Sequence, residues 1–322
     1  MVDYVVALSV SYDGGQVAVG TSGGQLHVYE TATGRLAFER TAHSGGVLAC
    51  QFCPRAPLLA TGGQDGYARL FDPTGREQAF VSGGAASVAH LAWSPSGELL
   101  ATASGRTARV WSSEGKPLFE LEPAAGMIGA VSWNQRGTQL AVASYGGVHV
   151  VDARRGNVMT TLRWNGSFIS LAWSHDDSVI AGGTRERSVH FWRLPAGKDS
   201  EMSGFVAQPR ALCWSPDSKR LATSGRPAIS LWSFDKGPEG RRPMLLTAHQ
   251  ALCTVLAFHP TQPWLVSGGD DAAIYVWRPL EASLPLGLGQ MEETVTGVAW
   301  APRANAVIAA DASGLVQAFL IP

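Results

Sequence analysis

One pattern recurs along nearly the whole chain and restricts its fold more than any other feature. A bulky residue closes a short apolar run at Val10, Phe52, Trp93, Trp133, Trp173, Trp214, Phe258 and Trp300, at spacings of 42, 41, 40, 40, 41, 44 and 42 residues. A second bulky residue follows each one 18 or 19 positions later, at Tyr29, Phe71, Trp111, Val151, Trp192, Trp232, Trp277 and Phe319. The stretch 210–232, RALCWSPDSKRLATSGRPAISLW, displays the template: an apolar run, an S-P-D turn, and two further alternating runs, the last ending in tryptophan. Copies lie at 87–111, 168–192 and 253–277, and weaker ones at 5–29, 47–71, 128–151 and 295–319. A period of this length marks a supersecondary unit that cannot bury its own faces and must stack on its neighbours.

Each repeat reads as three short antiparallel strands, and between repeats runs a fourth alternating segment such as RLAFERTAH, KPLFELE or PMLLTAH. Only 16% of residues are charged, 45% are hydrophobic, and there are 37 Gly and 18 Pro, which suits many short strands joined by tight turns. The chain of 322 residues therefore reads as all-β, with repeats at 5–29, 47–71, 88–111, 128–151, 168–192, 209–232, 252–277 and 295–319 forming one domain over 1–322.

A four-stranded unit of about 40 residues with this pattern resembles the WD-repeat β-propeller family. No literal W-D dipeptide occurs, and the family's G-H pair appears only as Ala42-His43 and Ala248-His249. In that family a His, a Ser or Thr, an Asp and a Trp form a buried hydrogen-bond chain. The resemblance maps it onto His249, Ser267, Asp271 and Trp277, and onto His43, Thr61 and Asp65, where Phe71 removes the indole donor. It implies eight four-stranded blades, with seven blades and a displaced unit as the alternative. Eight repeats have seven intervening fourth strands, so the last blade is expected to lack its outer strand or to receive it from elsewhere.

The same register places each residue that could carry chemistry. Cys50 and Cys53 have C-x-x-C spacing, but no second pair completes a zinc site; in register Cys53 replaces the Ser of W-S-P and Cys50 the Leu91 position, so both read as ordinary structural cysteines. Cys213 and Cys253 read the same way. Gly20, Ser22 and Gly24 match a G-x-S-x-G elbow, which requires a strand feeding a helix; here the motif sits between two strands. The innermost strands, VVALSV, VLACQF, VAHLAW, IGAVSW, FISLAW, RALCW, CTVLAF and VTGVAW, contain no Asp or Glu. His90 and Arg210 are their only other titratable side chains besides cysteine, with no carboxylate beside them to tune either. No catalytic residue, metal or cofactor is expected.

The resemblance also implies that the loops between second and third strands share a binding face with the loops entering the inner strands. On that face fall Arg106, Arg185, Arg187, Arg210 and Arg226, with Tyr145, Trp164 and Phe205 nearby, and, in the last two repeats, Asp270, Glu292, Glu293 and Asp311. The face is thus expected to be divided by charge, and arginines beside aromatics suit an acidic or phosphorylated peptide. A net charge of -1 provides no general attraction for nucleic acid or an anionic membrane, and no apolar run reaches the roughly 18 residues of a membrane span. Four cysteines, and an Asp within MVDYVVALSV where a secretory leader would be basic, point to a reduced, cytoplasmic setting. The sequence reading is a non-catalytic scaffold that binds a protein or peptide partner. Its alternatives are a homodimer or partner strand completing the last blade, and a hydrolase or isomerase using the channel mouth.

Overall fold

In most repeats the first strand ends on its bulky residue and enters a turn whose geometry follows from the S-P-D-G pattern. The computed structural model describes residues 3–235, 237–281, 283–301 and 305–321. In repeat three, Ser94 N donates to Leu99 O (2.8 Å), Leu99 N donates to Ser94 Oγ (3.1 Å), and Gly97 N returns to Ser94 O (2.8 Å). In repeats one, three, four, five and six one position of this turn lies in the left-handed region. Gly14, Gly97 and Gly137 occupy it at φ 71°, 76° and 66°, and Asp177 and Ser218 take the same place at φ 61° in repeats five and six.

Contacts divide the chain into two compact parts: Met1–Asn165 with Ala301–Asn305, and Gly166–Trp300 with Ala306–Pro322. In the first part, Val5–Val10, Gln16–Thr21, Gln25–Glu30 and Leu36–Thr41 form a four-stranded antiparallel meander. Val47–Phe52, Leu59–Gly63, Tyr67–Phe71 and Glu77–Ser82 form a second, and Val88–Trp93, Leu99–Ser104, Thr107–Ser112 and Pro117–Glu120 a third. Repeat four begins with Ala130–Trp133 and continues into the long strand Gln139–Asp152, which carries Gly146 and Gly147 at φ 92° and 140°.

Val158–Trp173 is a second long strand, which pairs first with Gln139–Asp152 and then, from Phe168 to Trp173, with Val179–Thr184. Repeat five continues through Val189–Arg193 and Lys198–Met202. Repeats six and seven are meanders of Leu212–Trp214, Arg220–Thr223, Ile229–Ser233 and Met244–Leu246, then Cys253–Phe258, Leu265–Gly269, Ala273–Trp277 and Gly287–Gln290. Repeat eight, Val295–Ala301, Ala306–Asp311 and Val316–Leu320, has three strands among the described residues. The fold is an all-β propeller. Because the long strand Val158–Trp173 closes repeat four and opens repeat five, these two repeats share one six-stranded sheet, and the eight repeats are carried by seven sheets among the described residues.

The two recurrent tryptophans do different work. Trp93, Trp133, Trp214 and Trp300 donate their indole N–H to the carbonyls of Gln51, Ala92, Ala172 and Ala257, each on the inner strand of the preceding repeat, at 2.9–3.4 Å. The second set bonds within its own sheet: Trp111 to Thr102 Oγ1 (2.9 Å), Trp232 to Thr223 Oγ1 (3.2 Å) and Trp277 to Ser267 Oγ (2.9 Å). Each indole thereby buries a large apolar face while keeping its polar edge satisfied. Second strands such as Leu59–Gly63, Val179–Thr184 and Leu265–Gly269 are buried at every position. They place the core at mid-sheet and leave turns and fourth strands at the surface.

Candidate functional site

In repeat seven the donors and acceptors fix the proton positions. Trp277 Nε1 can only donate, so Ser267 Oγ accepts from it, and the Ser267 hydroxyl in turn donates to His249 Nε2 (2.9 Å). His249 Nδ1–H then donates to Asp271 at 2.9 Å, and Asp271 also accepts from Gln250 N (2.8 Å). Repeat two repeats the pattern, His43 bonding Asp65 (2.9 Å) and Thr61 (2.8 Å), with Phe71 where the indole would stand. Repeats three and six keep only the final Thr–Trp link. The chain ties the loop entering an inner strand to the turn after the second strand, so its role is architectural.

Burial pushes the His249 and His43 imidazoles below their ordinary value of 6.5, against the pull of Asp271 and Asp65. Burial alone would raise Asp271, but its hydrogen bonds from His249 and the Gln250 amide outweigh that and hold it low. The native state therefore contains neutral imidazoles facing ionised carboxylates. A base whose folded pKa lies below its unfolded value destabilises the fold as pH falls through the unfolded value, because the unfolded chain then binds protons that the native chain does not. The expected result is a melting temperature that falls between pH 7.5 and 5, by roughly 2–4 °C for each kcal/mol lost. The lowered carboxylates add their loss only at more acidic pH, below 3.8. A melting curve unchanged from pH 7.5 to 5 would contradict the neutral assignment.

Around the segment 203–210 the structure gathers four of the arginines named from the sequence. Arg185 and Arg187 stand exposed on the turn between Val179–Thr184 and Val189–Arg193, with Arg187 at φ 64°. Arg187 Nη1 donates to Val206 O (3.5 Å), and Gln208 Nε2 donates to Arg185 O (3.4 Å). Arg210, exposed, donates to Gln208 Oε1 (3.4 Å), and half-buried Arg226 donates to Gly204 O. The Val206 and Ala207 amides both donate to Gly225 O, at 3.2 and 3.0 Å, which fixes the segment with Val206 61% exposed at its tip. Among the described residues none of these four guanidiniums has a carboxylate at ion-pair distance. Val206 and Gln208 were not singled out from the sequence; the run VAQPR between a glycine and an inner strand is the only signal they leave.

Two expectations fail here. Phe205 is not a surface aromatic: it is 8% exposed and packs on Trp232 at a ring separation of 6.5 Å, because Gly204, at φ 90°, turns the chain inward before it. Asp311 is not an exposed acid. It is fully buried, accepting from the Glu292 and Glu293 amides (3.1 Å each), the Ser313 amide and hydroxyl (3.0 and 2.7 Å) and the Leu315 amide (3.0 Å). Asp270, Glu292 and Glu293 are exposed. In the first compact part, Arg106 is exposed with Nε on Ala124 O (2.6 Å), Tyr145 is half exposed with its hydroxyl on Asn165 Oδ1 (2.8 Å), and Trp164 is half-buried.

The remaining candidates sit in core or turn. Cys50 and Cys53 belong to different apolar clusters, with Sγ directed at Ala18 O and Gly97 O. Burial pushes the Cys50 and Cys213 thiols up to about 12, far from the range of a reactive thiolate. Ser22 lies in a turn between strands and donates to Asp3 Oδ1 (2.8 Å). His90 is half-buried, and burial lowers its pKa. Among the described residues no group of three or more His, Cys, Asp or Glu side chains is placed to hold a metal ion, and no helix is long and apolar enough to cross a membrane.

Residues 34–72, 75–112 and 240–278 match the family model described as WD domain, G-beta repeat. The chain is similar to the B-type cell cycle switch protein ccs52B of Medicago truncatula, 27% identical over 228 residues, covering 67% of this chain and 45% of that protein. It is 23% identical to Protein tipD of Dictyostelium discoideum over 84% of this chain, and 25% identical to Autophagy-related protein 16 of Arabidopsis thaliana over 69%; each match covers 46% of the relative. The chain thus matches less than half the length of each curated relative. Among solved structures, the computationally designed Ika8 protein superposes with a TM-score of 0.85 at 21% identity, over 100% of this chain and 97% of that one, a likeness of fold alone.

Proposed function

From the premise that this chain carries WD repeats on a β-propeller, we propose that it is a non-catalytic interaction platform holding an acidic or phosphorylated segment of a protein partner. The single observation that carries the reading is the set of guanidiniums of Arg185, Arg187 and Arg210, without an ion-paired carboxylate among the described residues, around the fixed loop 203–210 with its exposed tip at Val206. Planar guanidinium groups bind carboxylate or phosphate bidentately, and loops on a rigid scaffold are where such contacts are displayed. Inner strands free of Asp and Glu favour binding over catalysis. The relatives' names refer to a cell cycle switch in one case and autophagy in another, so no single pathway is carried over.

The test is affinity capture from the native host, comparing wild type with the triple variant Arg185→Glu, Arg187→Glu, Arg210→Glu. Loss of a few charge-assisted contacts of about 1–2 kcal/mol each corresponds to tenfold or greater loss of a specific partner. An identical partner set from both proteins would reject the surface.

A second reading has its own observation. The strand Val316–Leu320 has no outer neighbour among the described residues, and Leu320 is 81% exposed. Its edge suits an added strand from a second copy or a partner. A partner kept by the arginine variant but lost on Leu320→Lys would transfer the contact to this edge.

A further inference from the structure

Repeat six is longer than its neighbours: Trp214 and Phe258 are 44 residues apart, and the excess lies in the segment GPEGRRP, 237–243. Gly237 and Gly240, at φ 81° and 70°, bend that segment over the outer flank of Ile229–Ser233. Beneath it is a cavity of about 520 Å³, a size that accepts a small organic ligand. Three arginines line it, Arg226, Arg241 and Arg242, together with Ser203 and Ser230. Its apolar wall comes from Phe191, Phe205, Trp232 and Leu245.

The charges in the cavity do not cancel. Glu239 is held by Arg193 at 3.2 and 3.3 Å, outside the arginine triad, which leaves Glu201 as the one lining carboxylate without an ion pair among the described residues. Three guanidiniums against one carboxylate give a positive recess beside aromatic surface. Arg226 uses one N–H on Gly204 O, and Arg241 and Arg242 have no side-chain acceptor among the described residues, so most of their donors remain available.

We infer that this cavity binds a phosphate monoester borne on an apolar or aromatic stem. A monoester carries nearly two negative charges at neutral pH and three acceptor oxygens, which three guanidiniums can meet where a lone carboxylate would leave donors unused. The stem lies along the Trp232 and Phe205 wall. Such a group can arrive on a free organic phosphate or on a phosphorylated side chain. The cavity shares Arg226, Ser203 and Phe205 with the loop 203–210, but Arg241 and Arg242 take no part in the cluster there, so they are what distinguishes this site from the partner surface.

The experiment is calorimetric titration of the full chain with phenyl phosphate, phenol, and a capped phosphotyrosyl pentapeptide. Phenyl phosphate is expected to bind at least tenfold more tightly than phenol. The double variant Arg241→Ala, Arg242→Ala is expected to lose at least tenfold in affinity, with a circular dichroism spectrum and melting temperature matching wild type, as both side chains are exposed. A pentapeptide that binds more tightly than phenyl phosphate assigns the site to a phosphorylated protein; one that binds equally or more weakly assigns it to a free phosphate. Absence of binding by both phosphate probes, or affinity unchanged in the double variant, overturns the inference. The variant Arg185→Glu, Arg187→Glu, Arg210→Glu keeps phosphate binding if the two sites are separate, so failure of one proposal is read independently of the other.

Discussion

Trp277→Ala is expected to destabilise the protein by about 3–5 kcal/mol, the usual cost of emptying a large buried aromatic site. Trp277 is 0% exposed, lies among Leu265, Ala222 and Leu231, and supplies the last donor of the His249 chain. Truncation leaves both a cavity and a Ser267 hydroxyl short of one partner. Trp277→Phe separates the two effects, because it keeps much of the ring volume and removes only the indole N–H. Phe71 already occupies this position in repeat two, where His43, Thr61 and Asp65 form their bonds without an indole. The Phe variant should therefore lose about 1 kcal/mol for the hydrogen bond and a smaller amount for packing. Urea unfolding followed by circular dichroism measures both, and an alanine variant within 1 kcal/mol of wild type would contradict the packing described.

Gly24→Ala is the second large effect, and its cause is backbone geometry. Gly24 has φ 88°, and an added Cβ would stand 2.2 Å from His43 O and 2.4 Å from Gly45 O. Its own carbonyl accepts from the Ala42 and His43 amides, at 2.9 and 3.2 Å, so neither segment can move aside without breaking those bonds. Left-handed strain costs about 1–3 kcal/mol and overpacking about as much again, so a loss of about 2–5 kcal/mol is expected. Gly34 provides the control: its φ is 68°, but no atom lies within 4 Å of its Cβ position. Gly34→Ala should cost only the conformational part, about 1 kcal/mol. Equal melting temperatures for the two variants would show that the contact at Gly24 carries no weight.

The repeats were legible because their determinants are local. Alternation places one face of each strand inward, the S-P-D-G turn specifies a left-handed residue at a fixed offset, and the tryptophans mark where inner strands end. The Ala-His pairs and their acids could be placed in register for the same reason. What escaped the sequence depends on direction and loop path. Phe205 and Asp311 both sit in loops whose register is correct, yet one ring faces Trp232 and one carboxylate caps four amides; spacing alone does not say which way a loop side chain turns. The sharing of Val158–Trp173 between repeats four and five rests on pairing over many residues, with Gln139–Asp152 along one part and Val179–Thr184 along the other. Arg241 and Arg242 lie in an insertion outside the repeat, where periodicity carries no information.

The platform reading requires that a bound partner cover the arginine-flanked loop. Hydrogen exchange on the chain with its captured partner, compared with the chain alone, tests this most directly. The account predicts slowed exchange in 184–188 and 203–210, with Val316–Leu320 unchanged. Protection confined to Val316–Leu320, or none in either arginine segment while the partner is bound, would contradict it.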